Sequence, residues 1–176
     1  ARLSVPRLRN VLRYWLQQHG IVADTRAFDA LLAMMQSARE DASPCWIWRD
    51  LAVRRYRGRL YVTVARLQQG QAEGFAWQAG ACWLPQTWSG ELCWRRRADV
   101  VGIAESVLCG QMMLRPRLGG EAMRLRPDGP MRTLKHLFQE QAVPPWQRDA
   151  LPLLWIDDRL AAVPGLWVAA EFAEEG

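Results

Sequence analysis

The sequence predicts an α+β fold, a small helical and β-hairpin N-terminal unit followed by a mixed-sheet C-terminal domain that carries a helix. Three observations carry that expectation. Apolar residues recur at helical spacing from Pro6 to Ala38, period-two segments punctuated by Gly, Pro and Asp recur from Val53 onward, and one late segment returns to helical spacing. With 176 residues and 50% hydrophobic content, the chain is able to bury one large core or two small ones.

From Pro6 to His19, Leu8, Val11, Leu12, Trp15 and Leu16 form an apolar stripe that ends at Gly20, a residue suited to a helix C-terminus. Arg9 and Arg13, four apart, share the exposed side. A second helix is expected from Asp24 or Thr25, as cap, to Ala38, with Phe28, Leu31, Leu32 and Met35 inward.

The stretch VRRYRGRLYV, Val53 to Val62, puts four arginines into six consecutive positions. A turn at Arg57-Gly58 would oppose Tyr56 to Arg59, Arg55 to Leu60, Arg54 to Tyr61 and Val53 to Val62. Alternation then gives one face Arg54, Tyr56, Arg59 and Tyr61, and the other Val53, Arg55, Leu60 and Val62. The second face suits a core. The first is an arginine and tyrosine platform whose cations repel one another unless an anion lies across them. Screening by salt at a solvated hairpin tip is the alternative that needs no ligand.

Residues 68–80, rich in Gln and Gly, are expected as a linker between a compact first unit, 1–67, and a C-terminal domain, 81–176. ACWLPQTWSGELCWRRR predicts a hairpin turning at Ser89-Gly90 and closed by the solvated triplet Arg95 to Arg97. Residues 98–110 carry mixed signals. Arg115 and Arg117, then Gly119-Gly120, then Arg124 and Arg126 predict a second basic hairpin. Pro127 to Pro130 breaks it. A helix from Arg132 to Gln141 would bury Leu134, Leu137 and Phe138 and turn Arg132, Lys135 and Gln139 outward, ending before Pro144-Pro145. PLLWI and RLAAV flank Asp157-Asp158 as a hairpin, Pro164-Gly165 turns again, and LWVAA is a final strand before an acidic tail.

Net charge is +5, but residues 1–98 hold 15 Lys+Arg against 7 Asp+Glu, whereas residues 99–176 hold 8 against 11. Regional positive charge favours a polyanion, nucleic acid or an anionic membrane surface. Of the 23 cationic residues only Lys135 is lysine; arginine is the better phosphate fork and the better stacker on bases. No apolar run approaches a membrane span and ARLSVPRLRN has no signal-peptide core, so a cytoplasmic location is expected. Cys45, Cys82, Cys93 and Cys109 form no Cys-x-x-Cys pair and are expected as buried reduced thiols rather than disulfides or zinc ligands.

Marks of catalysis are missing from the sequence. There is no Gly-rich phosphate loop, no Ser-Gly-Gly-x-Asp-Ser pyrophosphate loop and no histidine pair at metal-ligand spacing. His19 beside Gly20 suits a helix terminus, and His136 a surface helix, where it meets phosphate or solvent. A turn accounts for Asp157-Asp158. No catalytic residue, metal or cofactor is expected.

Gly119 to Glu121, Leu134 to Glu140 (LKHLFQE), Pro144 to Arg148 (PPWQR), Pro152 to Leu154 and Val163 to Gly165 together resemble the C-terminal domain of the tRNA(Ile)-lysidine synthetase family. LRNVLRYWL, AREDASP and RRYRGRLY resemble that family's middle domain. The resemblance implies an enzyme that adenylates the wobble cytidine of an isoleucine tRNA with a CAU anticodon and then joins lysine to it. Its pyrophosphate-loop domain, where ATP and magnesium are expected, lies N-terminal to the matched region, so the chain is expected to be a C-terminal fragment without the active site.

The partners implied are that tRNA and the catalytic domain of the same polypeptide, with no membrane; a homodimer stays open. The resemblance further implies phosphate contacts at Arg54, Arg55, Arg57 and Arg59 in the middle domain, and at Arg115, Arg117, Arg124, Arg132, Lys135 and Arg148 in the C-terminal domain. Glu121 is expected to orient a neighbouring arginine, and Trp146 to pack in the core. The competing reading is a protein-interaction module whose basic faces dock an acidic partner or the catalytic domain.

Overall fold

Pro6 opens the first helix, α1 (Val5–Gln18), where its missing N–H costs nothing. The computed structural model describes residues 4–37, 43–66, 69–78, 80–97 and 100–174. Leu12 and Leu16 are buried, Leu8 and Trp15 pack beside them, and Val11, at the margin of the expected stripe, is exposed. Gly20, with φ +73°, stops the helix: its N–H donates to Gln17 O, and Ile21 N–H reaches back to Leu16 O at 2.9 Å. Asp24 caps α2 (Thr25–Ser37), its carboxylate accepting from Ala27 N at 2.8 Å, and Phe28, Leu31, Leu32 and Met35 are buried as expected.

Three antiparallel strands complete the first unit, Ala1–Leu67: β1 (Cys45–Trp48), β2 (Leu51–Tyr56) and β3 (Arg59–Val64), in that order. The β2–β3 register is Val53↔Val62, Arg54↔Tyr61, Arg55↔Leu60 and Tyr56↔Arg59, as alternation and the Arg57-Gly58 turn predict. Both turn residues have positive φ, 47° and 73°, the twist a two-residue hairpin needs. Trp46, Trp48, Leu51, Val53, Leu60 and Val62 lie on the sheet face that packs with α1 and α2. β1 has no counterpart among the strands expected from the sequence.

The second unit, Gln68–Gly176, is built on a five-stranded sheet in the order β13-β12-β11-β8-β4. In chain order its elements are β4 (Glu73–Phe75), β5 (Cys82–Trp83), β6 (Leu92–Cys93), β7 (Gly102–Ile103), β8 (Met112–Arg115), β9 (Ala122–Met123), β10 (Arg132–Thr133), α3 (Leu134–Glu140), α4 (Pro145–Arg148), β11 (Leu153–Ile156), β12 (Arg159–Val163), β13 (Trp167–Val168) and β14 (Ala173–Glu174). Every described pairing in that sheet is antiparallel, where a mixed sheet is expected from the sequence. Leu114, Leu134, Leu137, Phe138, Leu153, Leu154, Ile156 and Val163 form its buried core.

Several expectations change here. Within the stretch 68–80, Glu73–Phe75 pairs with β8 as an edge strand; a three-residue ladder needs backbone groups, not an apolar pattern, and so leaves no periodic signal. The predicted basic hairpin around Gly119-Gly120 does not form: β8 pairs with β11 and β4, and β9 pairs with β10. α3 starts two residues later than predicted because Thr133 caps it, its hydroxyl accepting from His136 N; Arg132 therefore lies on β10.

Cys82 and Cys93 oppose one another across β5–β6 and are joined by a disulfide, against the expectation of reduced thiols. That hairpin is centred between Thr87 and Trp88 rather than on Ser89-Gly90, and only this register brings the two cysteines face to face. The Asp157-Asp158 hairpin forms as predicted, with both residues at positive φ.

Candidate nucleic-acid interface

The outer face of β1–β3 follows from the same register. Arg54, Tyr56, Arg59, Tyr61 and Thr63 alternate away from the helices, and Ile47, 61% exposed, joins them from β1. Arg54 is half-buried and braced: its Nε donates to Thr63 Oγ1 at 3.0 Å and a terminal nitrogen to Ala65 O at 3.3 Å. Its guanidinium plane is thereby fixed. Arg57, exposed at the turn, lies over the Tyr56 ring at 5.6 Å, a cation–π arrangement that orders a long side chain without removing its charge. Arg59 is exposed and has no partner among the described residues.

Arg55, also expected to contact phosphate, lies on the opposite face, where the alternation puts it. It donates to Met35 O at 2.7 Å, near the end of α2, where a cation satisfies a terminal carbonyl and meets the negative end of the helix dipole. It ties sheet to helix. Of the four middle-domain arginines, three therefore flank one outward surface and the fourth is structural.

The second unit treats its arginines differently. Arg115 pairs with Asp158 and lies over Trp155 at 5.0 Å. Arg117 pairs with Asp149 at 3.3 Å and stands 3.8 Å from Glu121, with only 18% of its side chain exposed. Arg132 pairs with Glu140, whose carboxyl is lowered in pKa chiefly by that hydrogen bond, while the Arg132 pKa is raised by it. Arg148 donates to Val143 O at 2.7 Å. Arg117 and Arg148 are half-buried against the fold, whereas Arg115 and Arg132 reach carboxylates that are exposed. Arg124, exposed, donates to the nearby Pro127 O, and Lys135 is exposed on α3. Glu121, expected to orient an arginine, stands 3.8 Å from Arg117 Nε, an ion-pair distance at which neither of the two facing atoms makes a hydrogen bond, and its other oxygen holds a loop. Trp146 is buried in keeping with a packing role.

His19 rests edge-on against Trp15 at 4.8 Å, and His136 lies on the surface. Asp157 accepts from Gln111 N at 2.9 Å and Asp158 holds Arg115, so each carboxylate of that pair has a structural task. Cys82, Glu91 and Cys93 come together, but two of the three are consumed in the disulfide. No described helix is long and apolar enough to cross a membrane. Ile47 escapes a sequence reading because β1 does; of the AREDASP segment, residues 38–42 lie outside the described residues.

Comparisons with known proteins fit this division. Residues 1–61 match the family described as the TilS substrate binding domain, and residues 112–176 the TilS substrate C-terminal domain. The tRNA(Ile)-lysidine synthase of Ralstonia nicotianae is 35% identical over 182 aligned positions, which take in 94% of this chain and 38% of that protein. That of Coxiella burnetii is 30% identical over 176 positions, 99% of this chain and 39% of that protein. A solved structure, "Crystal structure of TILS C-terminal domain", is 26% identical with a TM-score of 0.43, covering 59% of this chain and 86% of that one. This chain thus spans 38–39% of the length of those two relatives, and it belongs to the tRNA(Ile)-lysidine synthase family, of which it carries the substrate-binding and C-terminal domains.

Proposed function

We propose that this chain is the tRNA-gripping part of a tRNA(Ile)-lysidine synthase, and that the outer face of β1–β3 is its principal phosphate-contacting surface. The supporting observation is the alignment of Arg54, Arg57 and Arg59 on one side of a rigid sheet with Tyr56 and Tyr61 between them, Arg54 braced by a hydroxyl and a carbonyl and Arg57 by an aromatic ring. Such a surface attracts phosphate by charge, and tyrosines interleaved with guanidinium groups provide flat faces for ribose or base. Charge sets affinity here and shape sets register.

In the whole protein the tRNA would be an isoleucine tRNA with a CAU anticodon, and lysine would be joined to its wobble cytidine with ATP and magnesium held by a separate catalytic domain. This chain's own task is to position and discriminate the tRNA. Competition binding with isoleucine and methionine tRNA transcripts at two salt concentrations tests this. The expected result is tight, salt-sensitive binding with a preference for the isoleucine tRNA. Equal, salt-insensitive binding of both, or binding to an isolated catalytic domain without affinity for either tRNA, would replace it with a protein-docking role.

A further inference from the structure

Leu118 is 90% exposed, the highest value among the described large hydrophobic residues, yet its backbone is held on several sides. One oxygen of Glu121 accepts from Leu118 N at 2.6 Å and from Gly119 N at 2.9 Å. The other stands 3.8 Å from Arg117 Nε, and the two side chains are 9% and 18% exposed. Arg117 in turn reaches Asp149, and its carbonyl accepts from Gln69 Nε2 at 3.1 Å. Gly119 and Gly120 both take positive φ, 98° and 87°, which a Cβ-bearing residue adopts only with strain.

The root of the loop is sewn to α3: Leu134 N–H donates to Glu121 O at 2.9 Å, and Thr133 pairs with Ala122. Exposed Lys135 and His136 follow directly. A largely buried carboxylate is costly to desolvate, and here its hydrogen bonds from Leu118 N and Gly119 N fix a loop whose tip buries nothing in its own unit.

We propose that Arg117–Glu121 is a preformed finger whose Leu118 side chain packs on a base face of bound tRNA, with Glu121 as its positioning residue; this rests on the tRNA reading above. In DNA complexes leucine is among the apolar side chains that insert between base steps and partly unstack them, which shows that a side chain of this kind can pack on a base face. Lys135, next in sequence to the Leu134 that bonds the root of the loop, is exposed and adds the positive charge that a phosphate-bearing partner requires. Holding the loop in advance removes the ordering cost from binding.

The test titrates fluorescent isoleucine tRNA transcript with the wild-type chain, Leu118→Ala, Glu121→Gln and the double variant at two salt concentrations, with thermal unfolding in parallel. Leu118→Ala is expected to weaken binding about tenfold, the order of a buried leucine side chain, by the same factor at both salts and with an unchanged melting midpoint. Glu121→Gln is expected to weaken binding alone and to add nothing to Leu118→Ala; additive losses would overturn the positioning role. Wild-type affinity in Leu118→Ala would overturn the finger while leaving the tRNA reading intact, as long as Arg57→Ala/Arg59→Ala still weakens binding. A changed salt slope in Leu118→Ala would overturn the apolar contact. No binding by the wild-type chain at low salt overturns both.

Discussion

On the outer face of β1–β3, Arg54 is held by a hydroxyl and a carbonyl and Arg57 lies over a tyrosine ring; in the second unit Arg115, Arg117 and Arg132 each reach a carboxylate. Local clustering does not separate the two groups, since both occur in short arginine-rich segments. Regional balance does. Residues 1–67 carry 12 arginines against 5 acidic residues, and residues 68–176 carry 11 cationic residues against 13 acidic ones. Acids in excess give the second unit's arginines carboxylates to reach, and the first unit's excess of arginine over acid gives it a net positive field that draws in an anion.

The contrast breaks most visibly at Arg117. Arg117→Ala leaves the Glu121 carboxylate, 9% exposed, without its cation, and is expected to destabilise the second unit by about 3 kcal/mol in urea unfolding. A loss under about 1 kcal/mol, the range of an exposed pair, would mean this arginine is not a staple. Reducing the Cys82–Cys93 disulfide, whose residues are 11 apart, is expected to cost that unit about 2–3 kcal/mol and leave the first unit's unfolding unchanged. Differential scanning calorimetry with and without reductant reads both.

Arg55→Ala sharpens the comparison within one hairpin. It should lower first-unit stability by about 1–2 kcal/mol through removal of the hydrogen bond to Met35 O, whereas Arg57→Ala, one step beyond Tyr56, should change stability little and tRNA affinity more. Chemical denaturation set beside anisotropy titration separates the two.

Glu73 gives a smaller, pH-dependent effect. Hydrogen bonds from the Gln86 backbone, opposed by desolvation and joined by those from Thr87, leave its carboxyl below the usual carboxylate range. A folded pKa below the unfolded one stabilises above the unfolded value and loses that contribution as pH falls through the folded one. Glu73→Gln should therefore cost about 1 kcal/mol at neutral pH and nothing once the wild-type carboxyl is protonated. Urea midpoints of both proteins across the acid range check the convergence.

The smallest effect is expected at Arg96–Glu105, an exposed pair: Glu105→Ala should shift stability by less than about 0.5 kcal/mol in the same urea titration.

Much of the fold is legible where the information is local. The hairpin from Val53 to Val62 can be paired residue by residue, because its turn and its alternation agree, and the same alternation already puts Arg55 on the core side. The Asp157-Asp158 turn is legible for the same reason. What escapes is long-range. Period two says that β8 is a strand but not that it pairs with β11 and β4 in preference to β9. Arg115 and Asp158 are 43 positions apart, and nothing near either residue announces the other. The Cys82–Cys93 bond depends on a hairpin centre displaced by two residues, an error that alternation tolerates and a cross-strand pair does not.

The slope of log affinity against log salt for isoleucine tRNA, measured for the wild-type chain, Arg57→Ala/Arg59→Ala and Arg115→Ala/Arg132→Ala, tests the central claim most directly. The first pair is expected to reduce the slope by about two, roughly one for each arginine that no longer meets a phosphate, and the second pair to leave it unchanged. An unchanged slope in Arg57→Ala/Arg59→Ala, or a reduction confined to Arg115→Ala/Arg132→Ala, would contradict the assignment of the grip to the outer face of β1–β3.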